Sequence, residues 1–184
     1  LDAGAGQVTL GSSNNNAIAG LTGLNVTSSN TGNTMPAVLQ GTDTTLGFTG
    51  GTNGKLTLTG NNTYTGTTTI NSGTLQVGNG GTTGTLGTGN VTLSNNATLS
   101  YVRSANTEIN NAISGTGNVT ASITGSSSTL TVSKAIDLTS GKIDLAADSD
   151  ITVSANLKTG DITDSAIRLN AGKSTAAGTS SGGD

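Results

Sequence analysis

Apolar residues in this chain recur at every second position, in bursts that Gly, Asn or Ser cut short. Segments 7–10 (QVTL), 24–27 (LNVT), 55–59 (KLTLT), 74–78 (TLQVG) and 90–94 (NVTLS) carry the pattern. So do 97–102 (ATLSYV), 118–124 (NVTASIT), 129–133 (TLTVS), 142–146 (KIDLA) and 150–157 (DITVSANL). A period of two sends alternate side chains to opposite faces of a strand. The i, i+3, i+4, i+7 spacing of an amphipathic helix is missing throughout, so an all-β fold is expected.

Short strands with turn residues every 8–12 residues or so fit a sandwich, a barrel or a solenoid. Three features favour the solenoid, the first being that the strands are very short. Two-residue hairpin turns are scarce, Asn53-Gly54 and Asn79-Gly80 being the clear cases. A unit of strand, Gly/Asn corner and strand also repeats: GNVTLSNNATLS at 89–100 is echoed by GNVTASITGSSSTLTVS at 117–133. In a solenoid each coil closes its core by stacking on its neighbours. The narrow interior suits Leu, Ile, Val and Ala, and Phe48, Tyr64 and Tyr101 are the chain's three aromatics. At roughly 20–25 residues per coil, about eight coils are expected, a rod of roughly 40 Å at ~4.8 Å per coil.

Composition removes several function classes. The chain has no Cys, which excludes disulfides, thiolate zinc sites and Cys nucleophiles, and no His. With 7 basic residues and a net charge of −3, counterion release cannot drive tight nucleic-acid binding. No apolar run approaches the ~18 residues of a membrane-spanning helix. The start, LDAGAGQVTL, lacks a signal peptide's charged and apolar regions. Both ends fall mid-pattern, so an excerpt of a longer protein is expected.

The candidate chemistry rests on carboxylates. Asp148 and Asp150, at i and i+2, would share one face of a strand, with Asp144 nearby. Clustered Asp serves some polysaccharide-cleaving β-helices, but no basic or aromatic platform accompanies these three. They are expected to be solvated turn and strand-edge groups. Neither an EF-hand loop nor a calcium-binding nonapeptide occurs. AGKST at 171–175 resembles the end of a phosphate loop, yet Ile167 stands where that motif needs Gly. GNGGTTG at 78–84 has no Lys. Thr57 with Thr59, and Thr67 with Thr69, form T-x-T pairs of the kind that order water on ice-binding solenoids. Later segments (TASIT, KIDLA, ITVSA) do not keep the pair. Asn61, Asn62, Asn95 and Asn96 are expected to stack and cap turns at corners. Asn-x-Ser/Thr sequons at Asn25, Asn61, Asn90, Asn96 and Asn118 arise readily in a chain this rich in Asn and Thr. No catalytic, cofactor-binding or metal-ligating residue is assigned, and no cofactor is expected.

Residues 55–93, KLTLTGNNTYTGTTTINSGTLQVGNGGTTGTLGTGNVTL, resemble the passenger-associated β-strand repeat of bacterial type V secreted proteins. Residues 136–161, IDLTSGKIDLAADSDITVSANLKTGD, are similar to the looser repeats of two-partner-secreted, filamentous-haemagglutinin-like exoproteins. The resemblance implies a right-handed parallel β-helix, a fragment of a longer rod, at the extracellular bacterial cell surface. The implied role is a non-enzymatic stalk segment of a surface or biofilm adhesin. The alternatives are a β-helix enzyme acting on polysaccharide, or an ice-binding solenoid. The implied partners are a host or bacterial cell surface or exopolysaccharide, together with an outer-membrane transporter. Four regions are expected: irregular coils over 1–54, passenger-repeat coils over 55–102, further coils over 103–170, and a flexible tail or fragment edge over 171–184.

Overall fold

A computed structural model describes residues 1–13, 16–94, 96–161 and 166–172. The tail expected at 171–184 falls almost wholly outside them, as do Asn95 and the AGKST segment beyond Gly172. The described residues contain eighteen strands and no helix, wound as a parallel β-solenoid of about 7 turns.

Three faces close each coil. The first is formed by β2 (Gly23–Thr27), β5 (Thr45–Thr49), the first half of β7 (Thr68–Val77), β8 (Val91–Leu93), β11 (Ile113–Gly115), β14 (Ile136–Leu138) and β17 (Leu157–Thr159). The second stacks β3 (Asn33–Met35), β6 (Lys55–Leu58), the second half of β7, β9 (Ala97–Arg103), β12 (Asn118–Ile123), β15 (Ile143–Ala147) and β18 (Ile167–Ala171). On the third, β1 (Ala17–Ile18) pairs with β4 (Val38–Leu39). Higher up that face, β10 (Thr107–Ile109), β13 (Leu130–Val132) and β16 (Ile151–Val153) form a separate sheet.

Period two becomes a set of vertical columns. On the first face, Leu24, Leu46, Thr68, Val91, Ile113, Ile136 and Leu157 stack one above another. On the second, Leu56, Leu75, Leu99, Val119 and Ile143 form one inward column. Met35, Leu58, Val77, Tyr101, Ala121 and Leu145 form another. Nearly all of these side chains are buried, and together they make the core. The outward positions between them carry Thr, Ser, Gln and charged residues. At ~25 cal/mol per Å² of apolar surface, this column packing is the main favourable term of the fold. No single coil could bury such a surface alone.

β7 runs unbroken from the first face to the second and bends at Gly73, whose φ is +76°. A Cβ there would lie 2.5 Å from the Gly54 carbonyl oxygen, so the corner admits only glycine. Buried asparagines close other corners. Asn62 accepts from the Leu39 N–H at 2.8 Å and donates to the Thr85 carbonyl at 2.7 Å, bracing the coils on either side of its own. Asn33 likewise accepts from the Val8 N–H and donates to the Lys55 carbonyl. Asn61 accepts from the Gly84 N–H, and Asn96 holds a left-handed φ of 63°. Asn61, Asn62 and Asn96 therefore do the corner work expected of them, and Asn33, at the start of β3, adds a tie that was not expected.

Residues 7–10, expected as a strand, make an isolated bridge through Thr9 to Thr34 instead. Conversely β1, β3, β4, β10 and β11 are strands of two or three residues, too short to show an alternation. They exist because a neighbouring coil supplies their partners.

Candidate functional site

The third face is interrupted. Below the gap, Thr85 is bridged to Asn61 and donates to the Gly60 carbonyl. Above it, β10 pairs upward with β13 and with no strand below. Asn111 spans the gap, its Nδ2 donating at 2.7 Å to the carbonyls of Gly87 and Gly89. Beside this tie lies a notch of about 330 Å³, bounded by Thr85, Thr88, Tyr101, Arg103, Glu108 and Asn110, with Val77 and Leu86 as its apolar part.

Local sequence explains the opening. In β9, Leu99, Tyr101 and Arg103 share the inward parity, and Arg103 sits directly beneath Ile123 and Ala147 in its column. The coil below offers it no strand residue, because β7 ends at Val77 and GNGGTTG turns outward. The guanidinium instead reaches down to donate to the Thr82 carbonyl at 2.6 Å. Burial lowers the Arg103 pKa from its ordinary value. Tyr101 fills the core beneath the small Ala121 and is 2% exposed. Burial, and then the neighbouring Tyr64, raise its pKa. Neither the Tyr101 hydroxyl nor Arg103 Nε has a hydrogen-bond partner within the protein, although both atoms are buried.

Glu108 points outward from β10 and accepts from the Ser133 hydroxyl. The notch is therefore a polar recess with the Arg103 guanidinium in its lining, while the Glu108 carboxylate is turned to Ser133 on the coil above. Its sequence signal was present: a charged residue at core parity two positions after Tyr101.

The candidates singled out from sequence do not converge. Asp148 and Asp150 do not share a strand face, since β15 ends at Ala147 and β16 begins at Ile151, with both carboxylates in the intervening corner. Asp148 accepts from the Gly125 N–H at 2.8 Å, and Asp150 lies 3.4 Å from the Ser149 hydroxyl. Asp144 faces outward on β15 and pairs with Arg168 at 3.7 Å. Among the described residues no three His, Cys, Asp or Glu gather as metal ligands. Thr57 belongs to an outward column of Thr34, Thr57, Gln76, Ser100, Thr120 and Asp144. Thr69 stands between Gly47 and Thr92. Thr59 and Thr67 lie just outside the strands. No regular T-x-T array results.

Residues 53–77 match the Passenger-associated-transport-repeat family model. Those residues span β6, the Asn61–Gly66 corner and all of β7, one circuit of the solenoid. They are a type V passenger repeat. The chain is also similar to the Adhesin BmaC autotransporter of Brucella suis biovar 1 (strain 1330), 67% identical over 33 residues. That match covers 18% of this chain and 1% of the relative. No solved structure matches. Passenger-repeat homology indicates a secreted chain exposed at the cell surface.

Proposed function

We propose that the chain is a non-enzymatic stalk segment of a large secreted bacterial surface or biofilm adhesin. In this reading it projects binding regions elsewhere in the protein toward a host or bacterial surface or an exopolysaccharide. The observation that carries it is the unbroken inward column from Met35 through Leu145, held by parallel ladders on two faces. Each coil is fixed to the next by several backbone hydrogen bonds and a shared dry core, the construction of a stiff spacer. The passenger repeat within that column, and a relative whose name is that of an adhesin autotransporter, support the same reading.

The test is removal of whole coils from the complete surface protein in its native cell. A stalk predicts that export and adhesion persist while the reach of the protein, measured by force spectroscopy, shortens with each coil removed. Loss of adhesion at unchanged export would overturn it. The enzyme reading has its own test: Asp148→Asn and Asp150→Asn would have to abolish a polysaccharide-cleaving turnover of the intact chain.

A further inference from the structure

We infer that the solenoid is hinged at the third-face gap. The coils below Thr85–Thr88 and those above Thr107–Asn111 rock against each other, with Asn111 as the clasp. This goes beyond the stalk reading and does not rest on it, since it concerns the rod whatever the rod carries.

At the other levels the third face is closed by backbone. β1 pairs with β4 at the bottom, and β10, β13 and β16 form one ladder at the top. Between them, Thr63 N–H donates to the Leu39 carbonyl and Thr65 N–H to that of Gly41. One coil higher, Thr85 N–H donates to Gly60 and Thr88 N–H to Tyr64. Across the gap the pattern stops. Among the described residues, the hydrogen bonds between Thr85–Gly89 and Thr107–Asn111 are the two that Asn111 Nδ2 donates to Gly87 and Gly89. One side chain stands where the other junctions have main-chain partners.

The other two faces are intact at this level. β8 pairs with β11 over three residues and β9 with β12 over six. Thr116 N–H closes the corner between those faces on the Leu93 carbonyl at 2.8 Å. The gap is short, flanked by Ser104 N–H on the Gly81 carbonyl at one side and Val91 N–H on the Ala112 carbonyl at the other. A wall cut on one side and continuous at the opposite corner bends about that corner.

Both directions of bending are available. Closing has room, because the notch of about 330 Å³ is free space beside an otherwise close-packed core. Opening meets a single side-chain tie, and it brings water toward Tyr101 Oη and Arg103 Nε, buried atoms without a partner in the closed form. Hydrating them restores hydrogen bonds that burial denies, which offsets part of the cost of opening. The junction below gains nothing in this way. There Asn62 braces the coils on either side, and the Tyr64 hydroxyl is already paired with Thr68.

The test is double electron–electron resonance on nitroxide pairs, which the absence of native Cys makes clean. Thr63→Cys with Thr152→Cys spans the gap on the third face, four coil rises by way of Thr85, β10, β13 and β16. Asn71→Cys with Lys158→Cys spans four rises on the first face, by way of β8, β11, β14 and β17. All four positions are exposed, and each pair is ~19 Å apart at ~4.8 Å per rise. The third-face distribution is expected to be broader than the first-face one by about 2–3 Å, the displacement that a rotation of about 10° gives across a face of roughly 15 Å. Asn111→Ala should broaden the third-face distribution further and leave the first-face one as it was. A third-face distribution no broader than the first-face one would overturn the hinge. So would equal broadening of both faces in Asn111→Ala, and an unchanged third face in that variant would overturn the clasp. The first comparison keeps Asn111, so it decides the hinge even where Asn111→Ala does not fold. Coil removal reads reach and adhesion instead, so the stalk and the hinge fail separately.

Discussion

The Tyr64 hydroxyl lies 2.7 Å from Thr68 Oγ1, and both side chains are buried. Thr68 interrupts an otherwise aliphatic column, Leu24 and Leu46 below and Val91 above, so the tyrosine supplies the partner that makes a core hydroxyl tolerable. Removing one member should therefore cost more than removing both. Tyr64→Phe is expected to destabilise by ~1–3 kcal/mol, whereas Tyr64→Phe with Thr68→Val should recover much of the loss. Urea unfolding of the two single variants and the double variant measures the coupling.

Burial pushes the Tyr64 pKa up to about 12 from the ordinary 10.0, a shift partly offset by its bond to Thr68. The neutral form is the one the fold accepts, so the stabilisation is complete below about pH 10 and is lost as pH rises toward about 12. The unfolded chain ionises first, which gives a slope of up to ~1.4 kcal/mol per pH unit in that window. Stability measured across this alkaline range should fall, and the fall should be shallower in Tyr64→Phe. An equally steep fall in that variant would assign the effect to other groups.

Gly73 and Gly80 both hold a left-handed φ, +76° and +78°, but differ in surroundings. A Cβ on Gly73 meets the Gly54 carbonyl, while one on Gly80 meets nothing within 4 Å. Gly80→Ala should cost only the backbone penalty of about 1–2 kcal/mol. Gly73→Ala should cost clearly more, because the rigid corner of the coil below must move as well. Gly81→Ala, open and without positive φ, serves as the neutral reference in a thermal-denaturation series.

Lys158 and Asp137 approach to 3.5 Å on the outer surface of the first face, with side chains 71% and 59% exposed. Water and salt screen such a pair. Lys158→Ala is expected to change stability by less than about 0.5 kcal/mol. Leu75→Ala, one coil inside the passenger repeat, should cost about 2–5 kcal/mol by opening a cavity in a fully buried column. Chemical denaturation of both variants checks the contrast.

The strands of the middle coils were legible because period two and turn residues coincide there: Lys55–Leu58, Ala97–Arg103 and Asn118–Ile123 fall where the alternation places them. About seven turns are described, against about eight expected over the whole length. Short strands such as Ile113–Gly115 carried no local signal, since their identity depends on Val91 below and Ile136 above. The carboxylate spacing of Asp148 and Asp150 misled because a corner falls between two strands at that point. Arg103 shows the converse. Its charge breaks the inward parity of Leu99 and Tyr101, a local irregularity that takes meaning only once the outward turn of residues 78–84 is seen beneath it.

From Thr57 to Gln76 one circuit takes 19 residues, and from Gln76 to Ser100 the next takes 24, yet the three remain stacked in one column. The difference is absorbed at the bends, where an extra residue displaces no ladder partner. Insertions and deletions are thus tolerated at the corners and penalised within the strands, where a single-residue slip would turn a whole strand inside out. The bends are therefore where such a solenoid can change length without repacking its core, and the wall opens into a recess above one of them, the 78–84 bend beneath Arg103.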